Sequence, residues 1–348
     1  MRLQSLYSNR FRTLFTTGAL MASGLIGGPG TAKAGMVLTA AGMAQGFSLS
    51  TFATGFPSVD VGSGFAGPFG ITFPKSGGVL VSDVTGQVRL FANDIDGQLA
   101  NNVPVGQNYR GSNNGQFFGS NSLGLATVNG NTYLAQQGSN QLIQVDGAGK
   151  LVQVIATGLQ AVTGVVANPN NGHLYVSTLF NNIIYDVDPV AKSKSVLLNA
   201  SLDGLTLSAD GKTLYGAGSG AILGFDLTQS GAPQVFNSGF IPGSADGAAI
   251  GLGPLLGNIY ANTNGGTFVQ INLLTKVQTV IGNGGSRGDF VTLDPNNGTL
   301  LLTQSDSILR LTPPNGGFGP SPVPEPATYL QAVMAACGLG LFCRFRRR

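Results

Sequence analysis

Three aspartates, Asp203, Asp246 and Asp289, recur at intervals of 43 residues, each just ahead of a short apolar run. Equal spacing on repeating units puts such residues at equivalent places in neighbouring units. Three carboxylates facing one channel would supply the oxygen donors that a hard cation such as Ca2+ requires. The same side chains suit a local role, because Asp also caps backbone N–H groups in its own loop. The sequence leaves both readings open. A second group, Tyr109, Arg110, Phe117 and Phe118, is set among Asn, Gly and Gln. Aromatic faces suit the C–H faces of sugars and an arginine adds directional hydrogen bonds, so these four are candidate ligand-binding residues. Asn93-Asp-Ile-Asp-Gly97 has the alternating acids of a calcium loop. It has Ala92 at the first position and Val103 where the bidentate glutamate belongs, so it reads as a turn. His173 follows the turn Asn168-Pro-Asn-Asn-Gly172 and reads as an exposed turn residue with no partner for acid–base work.

Composition removes other chemistries. Both cysteines, Cys337 and Cys343, lie near the C-terminus, which leaves the body without a thiol nucleophile or a zinc–thiolate site. The body also lacks Trp, and the single Glu, Glu325, lies in the tail. Scarce charge with abundant Gly, Asn, Ser and Thr points to an all-β exported domain with many tight turns.

The ends carry their own signals. Arg2, Arg10 and Arg12 precede a small-residue apolar run at 14–26, and Ala32-Lys33-Ala34 is an A-x-A site, so residues 1–34 read as a signal peptide for Sec export and signal peptidase. At the other end stand Val323-Pro-Glu-Pro-Ala-Thr328, an apolar stretch at 329–343 and Arg344-Phe-Arg-Arg-Arg348. The stretch is predicted to form a transmembrane helix with its arginines cytoplasmic. Eight of the 18 basic residues belong to these two ends, which leaves ten against the 14 aspartates of the body. The exported body is therefore acidic, and nucleic acid is excluded as a partner.

A phrase of about 40 residues positions the candidate residues. It begins at Gly70, Gly124, Gly164, Gly204, Gly247 and, as a variant, Phe290. Each copy reads as strand, Asn/Asp/Gly turn, strand, then a second strand pair. Asn168-Pro-Asn-Asn-Gly172 before Leu174-Tyr-Val-Ser177 is one example. Four short antiparallel strands per unit make a propeller blade, and six units make a six-bladed β-propeller over residues 47–312. Solenoid coils would be shorter and would not alternate two distinct hairpins. The sixth unit meets Pro313-Pro314 after its third strand, so residues 47–54 are predicted to supply the missing strand and close the ring. Residues 35–46 and 313–322 read as linkers. The first two units are 54 residues apart, and the excess falls at 99–122, around the aromatic group.

The order Pro324-Glu325-Pro326, apolar helix and arginine cluster (Arg344, Arg346, Arg347, Arg348) resembles the PEP-CTERM sorting signal of Gram-negative bacteria. That resemblance implies recognition and removal of the tail by an exosortase at the inner membrane. It also implies delivery to the surface or matrix in association with exopolysaccharide. The turns ahead of Leu-Tyr-Val resemble those of NHL-repeat and gluconolactonase-like propellers. That second resemblance implies a rival activity, a divalent-metal-dependent hydrolase or lyase with Asp203, Asp246 and Asp289 as ligands. Gluconolactonase-like enzymes use a glutamate ligand that this body lacks, and virginiamycin-lyase-like propellers use a histidine for which His173 is badly placed. The reading is a non-enzymatic exported binding protein.

Overall fold

Each copy of the phrase forms one antiparallel sheet. In blade three, strands Val162–Ala167, Leu174–Thr178, Ile183–Asp188 and Ser193–Asn199 pair in chain order. The hairpin turns follow their chemistry. In blade two, Asn129 and Gly130 both take positive φ, 51° and 77°, as a two-residue turn matched to strand twist demands. The computed structural model describes residues 35–61, 64–109, 122–179 and 181–317. The signal-peptide reading of 1–34 and the tail readings lie outside the described residues. Among the tail residues are Pro324, Glu325, Pro326, Arg344, Arg346, Arg347 and Arg348. Among the described residues no helix is long and apolar enough to cross a membrane.

Six such sheets surround a channel. Their inner strands are Pro68–Thr72, Ser122–Val128, Val162–Ala167, Asp203–Leu207, Ala245–Ile250 and Val291–Leu293. The hydrophobic cores sit between neighbouring sheets. Leu142, Ile155, Leu159, Val162, Leu174 and Val176 fill the space between blades two and three. Each large apolar side chain buried this way contributes about 1.5–3 kcal/mol.

The glycine that opens each phrase has a steric cause. The first five inner strands slip register against their partners at this point, as between Ser122 and Leu125 or Asp203 and Thr206. The kink presses backbone against the next blade. A Cβ on Gly70 would lie 2.3 Å from the Leu123 carbonyl oxygen, and one on Gly204 would lie 2.4 Å from that of Asp246. A hydroxyl on the second strand takes up a kinked N–H: Gly70 donates to Ser82 Oγ (3.0 Å) and Gly164 to Ser177 Oγ (2.8 Å).

The ring closes as the sequence predicts. Ser48–Thr54 pairs antiparallel with Ser307–Thr312 and becomes the fourth strand of blade six. Two features go further. Residues 35–46, expected as a linker, are ordered: Val37–Leu38 pairs with the outer strand of blade five, and Met36 enters the core between blades five and six. The helix Ala40–Ala44 is capped by Thr39 Oγ1, which accepts from the Gly42 N–H at 3.1 Å. The extra residues after blade one's third strand also reach blade six. Gln98–Leu99 runs parallel to Ala53–Thr54, and Val105–Asn108 then returns as blade one's own fourth strand.

Candidate functional site

The residue just ahead of each phrase stands at the channel mouth. In blades four, five and six it is Asp203, Asp246 or Asp289; in blades one, two and three it is Phe69, Leu123 or Thr163. The mouth is thus divided. Its apolar half packs Phe69, Leu123 and Phe290 beneath Val61 and Ala66 of the hairpin formed by Val59–Asp60 and Phe65–Ala66. Its other half is acidic. The channel below, about 400 Å3, is walled by inner-strand residues of all six blades. Several of its threonine hydroxyls tie blades together: Thr72 meets Thr127 at 2.9 Å, and Thr206 accepts from the Ile250 N–H at 3.1 Å.

The three carboxylates gather around Arg287. Its Nε and Nη2 donate to Asp289 Oδ1 at 2.8 and 2.6 Å, and Nη2 also donates to Asp246 Oδ2 at 3.1 Å. Burial pushes the Asp246 carboxyl well above the usual range, and repulsion from Asp289 and Asp203 adds to it. Burial, with Asp289 adding, pushes Asp203 up to about 7, against the opposing pull of the Gly204 N–H, the Thr163 hydroxyl and Arg287. Asp203 accepts from that N–H at 2.9 Å, so it also caps its own loop. Burial alone would lower Arg287, but Asp289 and Asp246 hold its pKa above the ordinary value. Asn262 completes the group. Its Nδ2 donates to the Phe290 and Thr303 carbonyls at 3.0 and 2.8 Å, while its buried Oδ1 has no hydrogen-bond partner.

This arrangement does not suit the Ca2+ site, one of the two readings left open by the sequence. A guanidinium already faces the acids a cation would use, bound to Asp246 and Asp289. Among the described residues no group of three His, Cys, Asp or Glu side chains is placed to hold a metal ion. The half-ring instead sets its carboxylates about a guanidinium that is paired with two of them.

The other sequence candidates fall elsewhere. Tyr109 is buried at 6 % exposure; its hydroxyl donates to the Gly149 carbonyl at 2.7 Å and its ring joins the core of Leu80, Val88 and Leu134. It pins the end of blade one's fourth strand and offers no stacking face. Arg110, Phe117 and Phe118 lie outside the described residues. His173 stands on the opposite face from the aspartates and, against the sequence reading, has partners. Nδ1 lies 2.8 Å from Asp186 Oδ1 and Nε2 lies 3.8 Å from Asp188 Oδ2, because the third strand of the blade carries both acids to the same turn. The 93–97 turn lies between blade one's third and fourth strands. Its Asp94 and Asp96 pair with Arg310 of blade six, with 2.8 Å from Arg310 Nε to Asp96 Oδ1.

Arg287 and Asn262 are the site residues that sequence reasoning missed. The available signal for Arg287 was its place two residues before Asp289, in a body with few cations. Asn262 had none, since its role depends on a contact with the next blade.

No family model and no curated protein matches the sequence. Solved structures do. A gluconolactonase from Xanthomonas campestris is similar over 81 % of this chain and 95 % of its own, at TM-score 0.58 and 16 % identity. A luciferin-regenerating enzyme is similar over 79 % and 98 %, at 0.57 and 13 %. An inactive virginiamycin B lyase from Staphylococcus aureus, solved with quinupristin, is similar over 76 % and 99 %, at 0.50 and 13 %. The body is a six-bladed β-propeller resembling the gluconolactonase-like proteins. Identities this low carry the fold and no activity.

Proposed function

We propose that this chain is an exported binding propeller, sorted to the bacterial surface or matrix by an exosortase acting on its C-terminal tail. Its channel mouth takes a hydroxyl-rich ligand, an exopolysaccharide or another surface component. The observation that carries the reading is the half-ring of Asp203, Asp246 and Asp289 around Arg287. Carboxylates accept from sugar hydroxyls, and Arg287 holds two of the three in place. Retention of the purified protein on immobilised exopolysaccharide from the producing bacterium tests it. The native protein is retained, and Asp246→Asn, which removes a carboxylate held by Arg287, is retained about tenfold less. Equal retention of the two removes the mouth from the reading.

A second reading is a hydrolase or lyase. Asp203, held up to about 7, has the pKa wanted of a general acid or base near neutral pH. Turnover of a lactone panel in EDTA, lost in Asp203→Asn, would favour it over binding alone.

A further inference from the structure

A separate cavity opens between blades one and six, about 630 Å3 in volume, with Phe56, Gln87, Arg89, Asn101, Asn108 and Asp306 among its walls. Small-molecule sites typically fall between about 300 and 1,000 Å3. At its back is Arg89, only 5 % exposed. Nη1 is bound to Asp83 and Nη2 to Gln87 Oε1, while Nε, equally buried, has no hydrogen-bond partner. Burial alone lowers the pKa of Arg89.

We propose that this cavity is a subsite for a neutral sugar ring. The charge balance decides against an anion: Asp83 matches Arg89, and the exposed carboxylate of Asp306 adds a negative charge at the rim. The exposed amide of Asn101 carries both donors and an acceptor, as hydroxyl groups do. Phe56 and Pro57 supply apolar wall for the C–H face of a ring. Asn101 comes from the extra residues after blade one's third strand, and Asn108 from that blade's fourth strand. The channel mouth shares no residue with it, and the two sites can be tested apart.

The test is amide-resolved NMR of the exported protein, titrated with the methyl glycosides of glucose, galactose and mannose, N-acetylglucosamine and glucuronate. At least one neutral sugar should shift the side-chain amide signals of Asn101 and Asn108 saturably and bind more tightly than glucuronate. Asn101→Ala and Asp306→Ala, both at exposed positions, should each weaken that sugar about tenfold with the melting temperature unchanged, and Asp246→Asn should leave it unaltered. Three results overturn the proposal: no shift with any neutral sugar, tighter binding of glucuronate, or loss of the shift in Asp246→Asn.

Discussion

Asp203 is the residue at which the mouth's electrostatics become measurable. Its carboxyl is held up to about 7, with burial the main cause, so the folded protein keeps a proton there that the unfolded chain releases near pH 4. A raised carboxyl contributes stability at low pH and loses it as pH rises toward the folded value. The Asp294 carboxyl is also pushed up to about 7, by burial and then by its hydrogen bond with Asp94, and adds in the same direction. The melting temperature should therefore fall between pH 5 and pH 8. Asp203→Asn, which keeps the shape and removes the charge, should flatten that fall by roughly 2–4 °C for each kcal/mol involved. An Asp203→Asn protein with the same slope as the native one would mean that the residue is ionised throughout. The sequence showed the spacing of these acids and their place before the inner strands. It did not show Arg287 between them, since nothing local distinguishes a mouth cation from any other loop arginine.

Among the elements, the closing strand was legible because the sixth phrase lacked a fourth strand and residues 47–54 had the required pattern. Deleting residues 47–54 should leave Ser307–Thr312 as an unpaired edge and make the protein aggregate, as light scattering would show. A soluble deletion variant with an unchanged melting temperature would mean another closure. The lock across that closure was not legible. Arg310 joins Asp94, Asp96 and Asp294 and lies 5.3 Å from the centre of the Phe52 ring, contacts that cross more than 200 positions of sequence for three of these four partners. Arg310→Leu strands the buried Asp294 without its cation and should cost about 3–5 kcal/mol by urea denaturation. A change below 1 kcal/mol would make the cluster dispensable. The strap at 35–46 escaped the sequence reading for a related reason: its two-residue strand and five-residue helix are too short to show a period and gain their order from blade five.

For the whole molecule, the proposed tail and the body divide the work of address and recognition. Replacing Pro324-Glu325-Pro326 by three alanines should leave a full-length, membrane-retained protein on immunoblots of cell fractions. Normal processing of that variant would remove the sorting reading and leave the propeller untouched. The central claim is that the mouth recognises a hydroxyl-rich ligand through carboxylates organised by Arg287 and without a metal ion. Calorimetric titration of the producing bacterium's exopolysaccharide into the protein, once in EDTA and once in millimolar Ca2+, tests it most directly. Equal affinity in the two buffers, lost in Asp246→Asn, is the predicted result. Binding that appears only with Ca2+, or no binding in either buffer, would contradict it.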